Sequence, residues 1–280
     1  FEFFHLRIVG NTMQPICTPG VIILCNGEIY NFEELKRLTR VSLEGQSDVS
    51  ILAPLYHLYG FEQLLRMIEG EYALLLYDRK LKVLYAARDR YGVRPLYLHT
   101  SPRRIVFASE GKAILPLSSN QINPRQWYQI FFDGNATTFE TMNREIPTVP
   151  TFNSVEVVRE RFIESVHSRL MSDRPIGALL SGGLDSSLVA AIAARKCQEN
   201  ENVLRTFCIG FDPESVDLQA AQIVANHIGT EHVNIIISME TALAAVDEVI
   251  RTCETYDTTT IRASVGQYLV GQWISENTDI

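Results

Sequence analysis

The sequence predicts an α/β protein in two parts, a hairpin-built half followed by a doubly wound half, and three observations indicate this. In residues 1–117, short apolar runs alternate with polar turns, which is typical of antiparallel strands. From about Ser154, strand-like apolar runs alternate with helical patterns, which favours a parallel sheet. The 280 residues, 46% of them hydrophobic and 21% charged, are enough to form two separate cores.

The first part begins with a buried strand over 21–25, which ends at the turn-forming pair Asn26-Gly27. Apolar residues at helical spacing then predict a short helix over 33–37 and a longer one over 48–59. Polar turns separate the strands that follow into two hairpins, with strands expected over 72–77, 83–87, 95–99 and 105–108.

The second part is preceded by residues 118–153, which are rich in Asn, Thr, Pro and Gly and therefore predict a linker region between domains. In residues 154–280 the periodicity switches between helix and strand. Helices are predicted over 155–171, 186–196, 218–228 and 241–252, and strands over 176–180, 204–211 and 233–237. The expected domains are therefore 1–117 and 154–280.

Composition excludes several classes of function. The chain has 33 acidic and 25 basic residues, a net charge of −8 and no run of Lys or Arg, so nucleic acid is not an expected partner. No apolar stretch approaches the roughly 20 residues that a membrane helix needs. Five scattered cysteines form neither a metal-binding pair nor a disulfide framework, which indicates a reducing, cytoplasmic setting.

The segment 181–187, Ser-Gly-Gly-Leu-Asp-Ser-Ser, follows a predicted strand, begins a predicted helix and carries the strongest functional signal. Glycines allow a sharp turn and close approach to a ligand, and the free N–H groups of the helix form an anion site. Asp185 is suited to hold Mg²⁺ against a phosphate, and the lysine of a Walker motif is absent. A simple helix cap would explain one such residue but not the whole set, which is Ser181, Gly182, Gly183, Asp185, Ser186 and Ser187.

This segment resembles the loop of the N-type ATP pyrophosphatases, which split ATP into AMP and pyrophosphate. RPIGALLSGGLDSSLVAA, TFCIGF, DLQAAQIVANHIGTEH and ETYDTTTIRASVGQYL resemble the glutamine-hydrolysing asparagine synthetase family, as do MQPI, NGEIYNF, ARDRYGVRPLY and FASEGKAI in the first half. The resemblance implies an N-terminal-nucleophile αββα glutaminase domain, then a doubly wound ATP-pyrophosphatase domain, both incomplete. The implied activity converts aspartate to asparagine with ATP, Mg²⁺ and glutamine-derived ammonia, through β-aspartyl-AMP.

In the second half the resemblance assigns roles to individual positions. It places the adenine nucleotide against Leu179 and Ile209, which are apolar as a base-binding slot requires. It assigns Asp185 to Mg²⁺-pyrophosphate. Thr259 and Arg262 would support the aspartyl-AMP intermediate, since a guanidinium can bind a phosphate or carboxylate in two-point fashion. The alternative interpretation, that Arg262 is an ordinary arginine on the surface of a helix, is the less favoured one.

In the first half the resemblance implies a glutamine site. Glu28 and Asp48 would hold the ammonium group, and Asn26, followed by Gly27, would orient the amide and line an oxyanion hole. His5 stands where the family has an arginine for the glutamine carboxylate, and Arg7 would share its face in a strand. The segment implied to line the site is His5, Leu6, Arg7, Ile8 and Val9.

The sequence departs from the family at both ends. The family nucleophile is an N-terminal cysteine whose own amine acts as base, and Cys17 and Cys25 have no free amine. The chain also stops before a second family loop that contacts ATP. We therefore expect a truncated sequence that lacks glutaminase and synthetase activity by itself.

Two alternatives to asparagine synthesis remain open at this stage. One is a non-catalytic nucleotide-binding remnant or partner subunit, and the other is a related amidotransferase such as a β-lactam synthetase. The expected partners are aspartate, glutamine and ATP, without nucleic acid or membrane, and a homodimer is a further expectation.

Overall fold

A computed structural model describes residues 12–43, 46–101, 104–133, 136–143 and 154–280. The chain divides into two compact units, Phe1–Thr151 and Phe152–Ile280, called here the first and second unit. Each unit has its own sheets and its own cores. The parallel sheet expected in the second half is present, as is the antiparallel layer expected in the first.

The described residues of the first unit form nine strands in two sheets, together with two helices and two short 3₁₀ segments, Asp48–Ile51 and Gly111–Ile114. The six-stranded sheet has the order β1-β2-β3-β4-β8-β9 and the three-stranded sheet the order β6-β5-β7, with antiparallel pairing throughout. The strands are β1 (Ile16–Cys17), β2 (Val21–Ile29), β3 (Gly70–Asp78), β4 (Val83–Arg88), β5 (Tyr97–Ser101), β6 (Arg104–Ala108), β7 (Asn120–Gln121), β8 (Gln126–Asp133) and β9 (Ala136–Asn143). The helices are α1 (Phe32–Thr39) and α2 (Leu52–Met67).

The six-stranded sheet is covered on two faces. On one face Phe61 of α2 stacks on Tyr85 of β4, with ring centroids 4.6 Å apart, and lies 5.4 Å from Trp127 of β8. On the other face Ala73 and Ala86 pack against the three-stranded sheet. Helices and two facing sheets therefore form successive layers, which agrees with the glutaminase architecture expected from the resemblance.

The sequence-based expectation of a linker over 118–153 is wrong for its strand-forming part. β8 pairs with β4 inside the six-stranded sheet, and β9 pairs with β8 along its whole length. Both strands therefore belong to the first unit. The linker prediction rested on the Asn-, Thr-, Pro- and Gly-rich stretches on either side of β8, whereas β8 itself carries Trp127, Tyr128 and Ile130, which are typical of a strand. Residues 144–153 lie outside the described residues.

The helix predicted over 48–59 differs from the structure at both ends. Residues 48–51 form a 3₁₀ turn, and α2 continues to Met67 across a break at Gly60, where φ is +77°. Glycine adopts this conformation without the penalty that a side chain brings. Nothing clashes with a Cβ placed there, so the break is a matter of backbone conformation alone.

The second unit has a parallel sheet of order β10-β11-β12 with helices on both faces. α4 and α5 share a core with the sheet on one face, and α8 packs on the other. The helix predicted over 241–252 is two helices that meet at Ala245. The elements are α3 (Val155–Ser168), β10 (Gly177–Leu179), α4 (Leu184–Glu199), β11 (Arg205–Gly210), α5 (Val216–Ile228), β12 (Glu231–Ile236), α6 (Met239–Ala244), α7 (Val246–Cys253) and α8 (Thr258–Asn277).

Candidate functional site

The end of β2 carries the first group of candidate residues. Along this strand buried and half-buried residues alternate, so Asn26 and Glu28 share the face that is covered by the three-stranded sheet. The Asn26 side-chain amide donates to Ser109 Oγ at 3.1 Å, just after β6. This hydrogen bond fixes the direction of an amide that has a second N–H left to donate.

Gly27 lies between these two residues and must be glycine. Its φ is +149°, and a Cβ there would overlap the carbonyl oxygen of Glu71 on β3. β2 and β3 therefore approach each other closely at this point, with Gly27 paired to Tyr72. A side chain at position 27 would therefore push β2 away from β3 between Asn26 and Glu28.

Asp48 is braced against the same strand. It begins the 3₁₀ turn, is 1% exposed, and its Oδ2 accepts the backbone N–H of Ile29 at 2.6 Å. Burial raises the pKa of this carboxyl, although backbone amides favour its charged form. Ile29 directly follows Glu28 in the chain. Its hydrogen bond to Asp48 therefore brings the two predicted acids close together.

Glu28 lies among several charges. Its pKa is raised, mainly by burial, while the Arg94 guanidinium lowers it and the carboxylates of Asp48 and Glu71 raise it. Arg94 Nη2 lies 3.8 Å from Glu28 Oε1, and both side chains are largely buried. Two further acids and one guanidinium therefore lie close to Glu28 at the end of β2.

Gln14 supports the strand that carries this pocket. Its side-chain amide donates to the carbonyl of Cys25 at 2.8 Å and accepts the Cys25 N–H at 2.7 Å, as a neighbouring strand would. Cys25 itself is buried, and burial raises the pKa of its thiol well above the usual range. The thiol is therefore a core group, as the sequence indicated, and not a nucleophile.

Part of the implied glutamine site cannot be placed. His5, Leu6, Arg7, Ile8 and Val9 lie outside the described residues. Their roles stay predictions.

The second group of candidate residues lies at the carboxyl edge of the parallel sheet. The loop 181–187 follows β10 and continues into the 16-residue helix α4. Ser181 Oγ and Ser186 Oγ are 3.0 Å apart, and Ser186 Oγ also donates to the Gly183 carbonyl at 3.2 Å. These contacts hold the loop closed on itself, and Ser187 Oγ is buried without a hydrogen-bond partner among the described residues.

The two glycines of the loop are required for different reasons. Gly182 has φ +76°, and a Cβ there would lie 2.6 Å from backbone atoms of Ala220 and Ala221 on α5. Gly183 has φ −71°, which any residue can adopt, and a Cβ there would meet only Ser181 Oγ at 3.5 Å. The fold explains Gly182, whereas the space over Gly183 is open and suits close approach of a ligand to the helix N-terminus.

The direction of α8 follows from two contacts. A Cβ on Gly266 would lie 3.7 Å from Ile209 Cγ2, near the carboxyl end of β11, whereas the Trp273 ring lies 6.1 Å from Phe207, further back along the strand. α8 therefore runs antiparallel to β11. Its first turns lie toward the same edge of the sheet as the loop 181–187.

Those first turns of α8 carry Thr259 and Arg262. Asp257 caps the helix by accepting the backbone N–H of Thr260 at 2.7 Å. Thr259 and Arg262 are exposed and, three residues apart, share one face of the helix. They are thus free to contact a ligand at this edge.

The two residues predicted to contact the nucleotide base lie on neighbouring strands. Leu179, the last residue of β10, is 48% exposed, and Ile209 of β11 is half-buried against α8. An apolar side chain so exposed at a strand end is suited to cover the face of a base.

Metal-binding capacity is limited. Among the residues that the structure describes, no group of three or more His, Cys, Asp or Glu side chains could hold a metal ion. Asp185, in the first turn of α4, is an exposed single carboxylate. Such a site suits Mg²⁺ that arrives with a phosphate, because that ion keeps phosphate and water ligands.

No described helix has the length and apolarity that a membrane span requires.

The chain is similar in sequence to known proteins over its whole length. The glutamine amidotransferase domain family matches residues 5–167, more than half of the chain. The chain belongs to that family. The asparagine synthase family matches residues 157–279, so the family boundary falls close to the division between the two units.

Two curated relatives illustrate the similarity. The human protein named asparagine synthetase [glutamine-hydrolyzing] is 36% identical over the whole of this chain, which covers 56% of that protein. A probable asparagine synthetase of Acanthamoeba polyphaga mimivirus is 36% identical over 92% of this chain, which covers 51% of it. The chain thus spans about half the length of the curated relatives it matches. A solved glutamine phosphoribosylpyrophosphate amidotransferase from B. subtilis is 17% identical, with a TM-score of 0.41, over 79% of this chain and 48% of that one.

Three side chains that contact the candidate residues on β2 or support that strand were not singled out from the sequence: Gln14, Arg94 and Ser109. Each lies within a segment that carried the resemblance, namely MQPI, ARDRYGVRPLY and FASEGKAI. The segments were therefore a usable signal, but contacts as distant as 83 residues for Asn26 and Ser109 are visible only in the fold.

Proposed function

We propose that the protein takes part in glutamine-dependent asparagine synthesis, in which aspartate is adenylated by ATP and then aminated. The observation that carries this proposal is the loop 181–187, where Gly183 leaves open space at the N-terminus of α4 and no Walker lysine is present. The match of residues 157–279, which include this loop, to the asparagine synthase family supports the proposal.

In the second unit the loop is proposed to bind the phosphates of ATP. The backbone N–H groups at the start of α4 would donate to phosphate oxygens. The Ser181 and Ser186 hydroxyls would join them by exchanging their present hydrogen bonds within the loop for bonds to phosphate, and the buried Ser187 hydroxyl would support the loop from below. Leu179 and Ile209 would contact the adenine. Asp185 would hold Mg²⁺, which when bound offsets the negative charge of the departing pyrophosphate.

The proposed synthesis takes its ammonia from hydrolysis of the glutamine side-chain amide, which consumes one water and gives glutamate and ammonia. An oxygen of the aspartate β-carboxylate attacks the α-phosphorus of ATP, and the bond to pyrophosphate breaks. Ammonia then attacks the β-carbonyl carbon, loses a proton, and AMP departs with the electron pair. Arg262 and Thr259 are proposed to hold the phosphate and carbonyl oxygens, since a guanidinium binds such groups at two points.

In the first unit the pocket at the end of β2 is proposed to bind glutamine. Glu28 and Asp48 would take the ammonium group, and the fixed amide of Asn26 would donate its second N–H to the amide oxygen of glutamine. Gly27 permits the close packing that forms the pocket. The segment from His5 to Val9 is proposed to complete it.

Location and assembly are part of the proposal. We place the protein in the cytoplasm because all five cysteines are free thiols, as expected in a reducing compartment. We propose small molecules as its partners, without nucleic acid or membrane. A homodimer stays a prediction, which sedimentation of the native protein would check.

The proposal is tested by supplying the native protein, purified from its source, with aspartate, Mg²⁺-ATP and glutamine labelled with ¹⁵N in the side-chain amide. We expect labelled asparagine, AMP and pyrophosphate in equal amounts. Formation of ADP, or AMP release that does not require aspartate, would refute the proposal. The second result would favour a related amidotransferase, and binding of ATP without turnover would favour a nucleotide-binding subunit.

A matched pair of variants tests the role given to the loop. Asp185→Asn should abolish AMP formation, because the amide is a poor ligand for Mg²⁺. Asp247→Asn alters an equally exposed acid in the first turn of α7 and should leave the rate unchanged. Equal rates in the two variants would contradict the assignment of Asp185.

A further inference from the structure

The segment between β4 and β5 is held by a buried carboxylate. Asp89 is 1% exposed, and its oxygens accept the backbone N–H groups of Tyr91, Val93 and Arg94, each at 3.0 Å. A fourth N–H, that of Tyr72 on β3, lies at 3.3 Å. One carboxylate therefore fixes the path of this segment and ties it to the six-stranded sheet.

The neighbouring Arg88 fixes the same segment through carbonyl groups. Its guanidinium donates to the carbonyl oxygens of Gly92 at 2.5 Å, Arg94 at 2.7 Å and Ile122 at 3.0 Å. Gly92 has φ +67°, and a Cβ there would lie 3.1 Å from this guanidinium. Arg94 is thus held at both its N–H and its C=O by buried charged side chains.

This arrangement directs the Arg94 side chain at Glu28. Arg94 Nη2 is 3.8 Å from Glu28 Oε1, with side-chain exposures of 25% and 15%. The Arg94 Nε is buried and finds no hydrogen-bond acceptor among the described residues. An N–H group left buried without a partner is costly, so the guanidinium is placed for the charge at this pocket and not for its own hydrogen bonding.

We propose that Arg94 is a positioning residue of the glutamine pocket, holding the Glu28 carboxylate ionised and oriented for the ammonium group of glutamine. This inference rests on the proposed glutamine site. Arg94 does not contact the reacting amide, and it acts through Glu28.

The charges around Glu28 explain why a cation is needed. Burial raises the pKa of Glu28, and the carboxylates of Asp48 and Glu71 raise it further. Arg94 and a hydrogen bond from Tyr30 lower it. Without Arg94, every nearby charge would favour the protonated form, which cannot pair with an ammonium group.

The test measures glutamine binding to the chain by calorimetry between about pH 5 and pH 9, because a protonated Glu28 would no longer attract the ammonium group. Arg94→Gln should weaken binding about tenfold at neutral pH and less at high pH. The pH below which glutamine affinity declines should therefore be higher in this variant than in the wild type. Arg94→Lys keeps the charge and should restore most of the affinity. Arg90→Gln, on the same segment but bonded to the Arg66 carbonyl, serves as the matched control.

A second measurement separates this inference from the proposed function. The titration of Glu28, followed by NMR of ¹³C-labelled glutamate, needs no glutamine and should move to higher pH in Arg94→Gln. Binding by the wild type with an unmoved Glu28 titration, or weakening that is equal at every pH, would overturn the role of Arg94 and leave the glutamine site intact. No binding by the wild type, with a moved titration, would instead refute the glutamine site.

Discussion

The pocket of the first unit and the loop of the second hold their charged groups in opposite ways. Asp48 and Glu28 are largely buried, and each is fixed by neighbours before any ligand arrives. Asp185 and Arg262 are exposed, and open space lies over the backbone at Gly183. One site is built from side-chain charges and the other from backbone N–H groups.

The difference follows from the proposed ligands. An amino acid such as glutamine carries opposite charges close together, and recognising it requires fixed charges in a place that excludes water. A triphosphate brings several negative charges and its own metal ion, so a helix N-terminus with room above it is sufficient. The site in the first unit therefore needs hydrogen bonds and ion pairs that fix its charged side chains, and the site in the second needs mainly open space.

The largest effect is expected where the first unit has no room at all. Gly27→Ala would place a Cβ on the carbonyl oxygen of Glu71 and in an unfavourable backbone conformation. We expect a loss of about 3 kcal/mol or more in the free energy of unfolding of this unit, from strain and overpacking together. Urea denaturation followed by Trp fluorescence measures it.

Gly60→Ala is the control for backbone conformation alone. Gly60 also has a positive φ, +77°, but nothing lies within 4 Å of a Cβ placed there. Its replacement should cost only about 1 kcal/mol. If the two variants are equally stable, the close contact of β2 with β3 does not shape the pocket as described.

A smaller effect, on binding and not on folding, is expected in the second unit. Gly183→Ala keeps an allowed φ of −71° and should lower the free energy of unfolding by less than about 1 kcal/mol, as for a weaker N-cap. The added methyl group would fill the open space at the helix N-terminus, so ATP affinity should fall about tenfold or more. Calorimetric titration with Mg²⁺-ATP measures the change.

Gly182→Ala, in the same loop, should lower the stability of the second unit, whereas Gly183→Ala should lower mainly its ATP affinity. Its Cβ would lie 2.6 Å from the backbone of Ala220 and Ala221, at φ +76°, so we expect about 2–4 kcal/mol of destabilisation. A Gly183→Ala variant that binds ATP normally would show that the phosphates do not approach this helix. The proposed difference, that the second unit binds its ligand through backbone N–H groups and the first unit through charged side chains, would then be wrong.

The two sites also differ in how far the sequence could predict them. The loop 181–187 is contiguous, so its strand, its glycines and the helix after it could be recognised together. The pocket of the first unit joins Glu28 to Arg94, 66 positions later, through a segment fixed by Arg88 and Asp89. No local pattern reports such a pairing.

The same reason explains the main error in the predicted fold. Gln126–Asp133 and Ala136–Asn143 pair with each other and, through β8, with β4 about 45 residues earlier. β9 is Thr-rich and the stretches around the two strands resemble a connector, which hides the strand-like residues Trp127, Tyr128 and Ile130 of β8. The pairing with β4 shows that these residues belong to the sheet. The break at Ala245 between α6 and α7 has no Gly or Pro to announce it.

The smallest effect expected concerns pH, and its sign differs between the two regions. In the second unit His232 Nε2 donates to Asn234 Oδ1 at 3.0 Å, so that Nδ1 accepts from the buried Thr206 hydroxyl at 2.9 Å. Burial lowers the pKa of His232 below its usual 6.5. As the pH falls through 6.5, the unfolded chain binds a proton before the folded chain does, so the free energy of unfolding decreases. At Asp48 the raised pKa has the opposite sign, because the folded chain binds the proton first.

Urea denaturation of the wild type and of His232→Gln between pH 7.5 and 5.5 tests this difference. The wild type should lose stability as the pH falls, with a slope below about 1.4 kcal/mol per pH unit, the limit for one proton. His232→Gln should show a flatter dependence, since glutamine keeps a hydrogen-bonding group but does not titrate. Parallel curves for the two proteins would mean that His232 has the same pKa in the folded and unfolded chain, and that the pH response comes from other groups.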